Sequence, residues 1–152
     1  MEMTSYGSGD DGPRLQLPHE ELTDFLLTAL DRATSYVVPR GGPLIPFAMY
    51  EGPEGPEGRS LHKFVEELVR AQELARWWVR HQAGLRMACV AWDGYVTLSG
   101  VRTDAVFVDG CDDSGEHGYV FLQRYVRAGR FSRSMKALGN AGLYARSGRL
   151  FD

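Results

Sequence analysis

Between Asp109 and His117 the chain reads DGCDDSGEH, its densest run of groups able to bind a cation or move a proton. Hard divalent cations need several converging oxygens, and Asp109, Asp112, Asp113 and Glu116 supply carboxylates at close spacing. The run lacks the alternating ligand positions and central glycine of a Ca²⁺ loop. It also lacks the paired histidines that complete a zinc set. The expectation is therefore a solvated acidic loop, with no metal and no cofactor.

Acid–base chemistry needs a carboxylate or imidazole held at a tuned pKa. The four histidines are His19, His62, His81 and His117, and none stands beside an Asp or Ser at a recognisable spacing. Asp93 and Asp104 are candidates for a carboxylate pair across two strands, and with His117 they make the best trio for a small enzyme. The simpler reading makes Asp93 a turn residue and pairs Asp104 with Arg102 or a neighbouring strand. No Gly-x-Ser-x-Gly, no P-loop and no Gly-x-Gly-x-x-Gly following a strand is present. Catalytic residues are therefore expected to be none.

Two features point to contact surfaces. Adjacent helical residues point about 100° apart, so Trp77 and Trp78 cannot both centre one buried stripe; Trp78 fits the core face and Trp77 its edge. Trp77, with Arg76 and Arg80 beside it, has the composition of a binding hot spot. The second feature is the C-terminal stretch. Seven of the 17 cations fall from Arg124 to Arg149, without an acid until Asp152, leaving 19 acids against ten cations before it. Arg127, Arg130 and Arg133 are its interface candidates. They suit docking on the acidic body of the same chain or of a copy, with nucleic acid, a phosphorylated ligand or anionic lipid as the alternative. The net charge of −3 speaks against a dedicated nucleic-acid binder.

These residues must be positioned by a small scaffold. At 152 residues, 43% hydrophobic and 24% charged, the chain has the size and make-up of one globular domain. No apolar run approaches a bilayer span, and the acidic N-terminus does not resemble a signal peptide. A bacterial-type cytoplasmic protein is expected, with Cys89 and Cys111 as free thiols and neighbouring carboxylates raising the pKa of Cys111.

Residues 1–17 read as a disordered tail. Leu22, Phe25, Leu26, Ala29, Leu30 and Ala33 recur at helical spacing, stopped by Pro39 and two glycines. Leu44 to Glu51 predicts a strand, placed at an edge by Pro46, and Ser60 to Phe64 its hairpin partner. The repeat GPEGPEG between them reads as an exposed insertion without a core role. A second helix follows, with Phe64, Leu68, Ala71, Ala75, Trp78 and Val79 on one face. Then come β segments at Met87–Trp92, Tyr95–Leu98, Arg102–Val108 and Tyr119–Tyr125. Asp93-Gly94 and Ser99-Gly100 between them signal turns, or Asp93-Gly94 marks a bulge within one long hairpin.

The expected fold is α+β, a single domain over residues 18–126. Two helices pack on one face of a four- or five-stranded, mainly antiparallel sheet, and residues 127–152 form a basic irregular extension, with room for a short helix near Ser132 to Leu138. The expected role is a non-enzymatic protein–protein interaction module that self-associates or joins a protein partner.

Overall fold

The computed structural model describes residues 4–5 and 15–152. The remainder of the expected N-terminal tail lies outside the described residues. In chain order the elements are β1 (Thr4–Ser5), α1 (Glu20–Val37), β2 (Phe47–Glu51), a 3₁₀ turn (Gly55–Gly58), β3 (Ser60–Lys63), α2 (Leu68–Arg80), β4 (Met87–Leu98), β5 (Val101–Asp112), β6 (Gly118–Arg127) and β7 (Met135–Ser147). The sheet order is β1-β7-β6-β5-β4-β2-β3. Six strands are antiparallel neighbours, and β1 adds a two-residue parallel pairing on β7. The class is α+β, as expected. Among the described residues no helix is long and apolar enough to cross a membrane.

The helices do not share a face. Met87, Cys89 and Ala91 of β4 pack with Phe25, Leu26, Ala29 and Leu30 of α1. The intervening Ala88 and Val90 pack with Ala75 and Val79 of α2. Successive strand residues point to opposite sides, so α1 and α2 cover opposite faces. The expectation of two helices on one face is corrected by this parity. Its signal was in plain view: Met87 to Ala91 is an unbroken apolar run, as in strands buried on both sides, whereas a strand with one wet face alternates.

The second correction concerns the C-terminal stretch, which is not an irregular extension. β7 is a 13-residue strand along β6, and Leu150 and Phe151 beyond it are buried on the α2 face. Its glycines obscured the strand. Gly139 has φ +69° within an irregularity where pairing moves from Leu122↔Gly142 to Arg124↔Leu138. The Gln123 side chain fills the lost ladder there, its Nε2 donating to the carbonyls of Arg124 (2.9 Å) and Gly139 (3.1 Å). A bulge of this kind combines extra chain with restored hydrogen bonding.

Smaller differences have equally local causes. Asp93-Gly94 is neither turn nor bulge, because β4 and β5 pair without interruption from Met87↔Asp112 to Leu98↔Val101. Ser99 (φ 50°) and Gly100 (φ 77°) make the two-residue turn of that hairpin. Pro46 sits just before β2, and β3 is the edge strand instead. The β2–β3 connection has a core role as well. Gly55 is buried, and Arg59 after the turn pairs at 2.9 Å with Glu51, which is 1% exposed.

Close approach of α1 to the sheet depends on Gly110. A Cβ there would lie 2.7 Å from the Ala88 carbonyl oxygen and the Cys89 Cβ, and would also overlap Leu26 of α1. Gly110→Ala is expected to lower unfolding free energy by about 2 kcal/mol through overpacking. Urea unfolding followed by circular dichroism checks this, and an unchanged midpoint would contradict it.

Candidate functional site

Three buried or nearly buried carboxylates lie toward one end of the sheet, each answered by a group from a different covering element. Glu51 of β2 takes Arg59. Asp109 of β5, 4% exposed, takes Arg76 of α2 at 2.8 Å and the Ser147 hydroxyl of β7. Asp112, 5% exposed, takes the imidazole Nε2 of His19, at the N-cap of α1. The expected solvated loop is thus half wrong: β5 runs on to Asp112, and only Asp113, Ser114 and Glu116 of this stretch are exposed. Asp109 and Asp112 are three apart on a strand, so they point to opposite faces and diverge. Among the described residues no three His, Cys, Asp or Glu side chains come together as a metal set.

His19 and Asp112 border an open pocket of about 280 Å³, with Glu21, Arg86, Met87, Asp113 and Ser114. Burial pushes the Asp112 carboxyl up. The His19 bond and the amides of Gly115 (2.8 Å) and Ser114 (3.1 Å) outweigh it and hold it below its ordinary value. A His–Asp pair in a pocket has the parts of a general base, but the bonding says otherwise. The His19 Nδ1 lies 3.3 Å from the Leu22 N–H and accepts from it. The ring therefore carries its proton on Nε2 and donates it to Asp112. Both nitrogens are committed to capping α1 and fastening it to β5. Arg86 and Glu21 meet at 3.2 Å beside them, and Asp113 adds an exposed carboxylate to the lining.

The suggested trio of Asp93, Asp104 and His117 does not converge. Asp93 and Asp104 do share the α1 face of β4 and β5. Tyr125 donates to Asp93 at 2.7 Å. Burial chiefly, with the Asp104 charge, raises the Asp93 carboxyl above its usual value against the lowering effect of the Tyr125 bond. Burial, then the Asp93 bond, raises the Tyr125 phenol. His117 lies beyond the far end of β5, about 20 Å or more away along the strands at ~3.3 Å per residue. Its ring leans on Tyr119, and its Nε2 is buried without a hydrogen bond among the described residues.

The interface candidates fall on two separate surfaces. Trp77 is 59% exposed on α2 and stacks on His81 with ring centroids 4.0 Å apart; Arg80 is exposed nearby. Arg76 instead turns inward to Asp109, with its guanidinium over the Trp92 ring. Trp78 is partly buried against Tyr50, His62 and Phe64. Arg127, Arg130 and Arg133 are exposed at the opposite end, around the β6–β7 connection. Missed in the sequence were Val65 and Val69, at 78% and 61% exposure, and Leu68, expected on the core face of the second helix, is 43% exposed in its first turn. The four-residue step from Val65 to Val69, continued at Trp77, was the available signal of a second apolar stripe. Cys89 and Cys111 are both free and buried. Burial, more than neighbouring carboxylates, raises the Cys111 thiol.

No protein-family model, curated protein or solved structure matches this chain.

Removing Arg76 leaves Asp109 buried beside Ser147 alone, so Arg76→Ala should cost about 3 kcal/mol. Arg76→Met combined with Asp109→Leu should cost clearly less, a comparison made by chemical denaturation. For Asp112 the folded carboxyl titrates below its unfolded value near 3.9. Its stabilisation is therefore complete above about pH 5 and fades as pH falls through the folded value. Asp112→Asn should be less stable than wild type at pH 6 and converge on it in acid; parallel stability–pH curves would contradict this.

Proposed function

We propose that the protein is a non-catalytic protein–protein interaction module of the cytoplasm, whose partner at α2 is a second copy of itself. The observation that carries this reading is the outer face of α2, where Trp77 and, about two turns earlier, Val69 face water, with Leu68 at the helix start and Val65 just before it. Buried aromatic anchors flanked by arginine dominate protein interfaces. The commitment of both His19 nitrogens to structural bonds supports the non-catalytic half of the reading.

The charge pattern of the stripe favours self-pairing. In a two-fold antiparallel contact each residue faces its mirror position. With Glu73 at the axis, Val69 meets Trp77 of the copy, and Glu66 comes opposite its Arg80. Arg70 lies close enough to Glu73 to offset the like charges at the axis. Helix α2 spans about 20 Å, so the contact is small and the dimer weak, with Kd on the order of 10 μM.

Light scattering of the eluting protein from about 5 to 200 μM tests this. The mass should rise from 17.0 kDa toward twice that value. Trp77→Ala should weaken association at least tenfold, and Val69→Glu should abolish it. A strict monomer throughout, or a dimer indifferent to both substitutions, would overturn the reading.

A further inference from the structure

The end of the sheet remote from the three carboxylates is built differently. Pairing between β5 and β6 stops at Ala105↔Arg124, while the β4–β5 ladder continues to Leu98↔Val101 and the β6–β7 ladder to Arg127↔Met135. Past Ala105 the sheet therefore divides into two hairpin arms. Each arm exposes an apolar side chain near its tip, Val101 at 63% and Phe131 at 92%. Each also holds an arginine against an aromatic ring: Arg102 lies 3.8 Å from the Tyr95 centroid and Arg130 lies 5.6 Å from that of Phe131.

Around these tips stand Arg40, Arg102, Arg127, Arg130, Arg133 and Lys136, all exposed and none in an ion pair among the described residues. Arg40 belongs to this end because the adjacent Pro39 carbonyl accepts from the Met135 N–H at 2.8 Å. The arms themselves carry one acid, Asp104, which is exposed; Asp93, held by Tyr125, pairs with Val106 just below the division.

We propose that this end is a binding site for an anionic lipid surface, with Phe131 and Val101 seated among the headgroups and the six cations over their charges. Apolar side chains at the projecting tips, ringed by arginine, match an interface that is oily within and negative at its surface. A nucleic-acid platform would instead set its aromatic rings along a groove that follows the strand. The net negative charge of the chain does not oppose docking. The acids around Asp113, Glu116 and the start of α1 lie about 40 Å away along the strands, several Debye lengths at physiological salt. The proposal is independent of self-association through α2.

The test is sedimentation of the full chain with vesicles of phosphatidylcholine alone and with about one-third phosphatidylserine. Binding should require phosphatidylserine and fall as salt rises from about 50 to about 200 mM. Each arginine lost should weaken it roughly fivefold, so replacing Arg127, Arg130 and Arg133 together with alanine should weaken it about a hundredfold. Phe131→Trp should give a blue-shifted emission on phosphatidylserine vesicles relative to wild type. Val69→Glu should sediment as wild type does, separating this site from the α2 contact. Absence of sedimentation at low salt, indifference to the arginine substitutions, an unshifted Phe131→Trp signal, or tighter binding to a single-stranded oligonucleotide than to the vesicles would each overturn it.

Discussion

The structure depends on the matching of buried carboxylates to the elements that cover the sheet. Glu51, Asp109 and Asp112 are each 5% exposed or less, and each meets a basic group from outside its own strand. An unpaired buried carboxylate is costly, so each one restrains the approach of its partner's element. Asp109 accepts α2 only in the register that delivers Arg76. Asp112 accepts α1 only where its N-cap is His19. Glu51 holds the β2–β3 connection through Arg59, whose guanidinium also lies over Phe25 of α1. These pairs add specificity of placement to a core whose energy comes from apolar burial.

That arrangement also occupies both nitrogens of the most enzyme-like group. A histidine beside a buried aspartate is the beginning of many active sites, yet a general base needs a nitrogen facing its substrate. His19 spends one nitrogen on the helix N-terminus and the other on Asp112. The polar chemistry at this end of the sheet is largely consumed in holding the layers together. Asp93 and Tyr125 bond each other on the α1 face in the same manner.

The unspent chemistry lies elsewhere, in apolar and cationic side chains facing water. On α2 it forms a stripe ending at Trp77; at the hairpin arms it forms two apolar tips among arginines. The proposed self-contact and the proposed lipid contact thus use separate surfaces of the same chain. The division of the sheet beyond Ala105 is central to the second, because a continuous sheet would not project its tips apart.

Local pattern alone determined much of the scaffold. The spacing of Leu22 to Ala33 defined α1, Ser99-Gly100 defined a hairpin turn, and Ser60 onward was readable as the partner of β2. These are contests between nearby residues, settled by periodicity and turn chemistry. Tertiary structure decided the rest. It placed the helices on opposite faces, although the unbroken run Met87 to Ala91 hinted at burial on both sides. It drew the glycine-rich C-terminal stretch into the sheet, with Gln123 restoring hydrogen bonds that lie 15 and more residues apart in sequence. It paired Asp109 with Arg76 and Asp112 with His19 across separations of 33 and 93 residues. Groups so distant meet only after the apolar layers have packed, because the energy that joins them depends on the burial that packing creates.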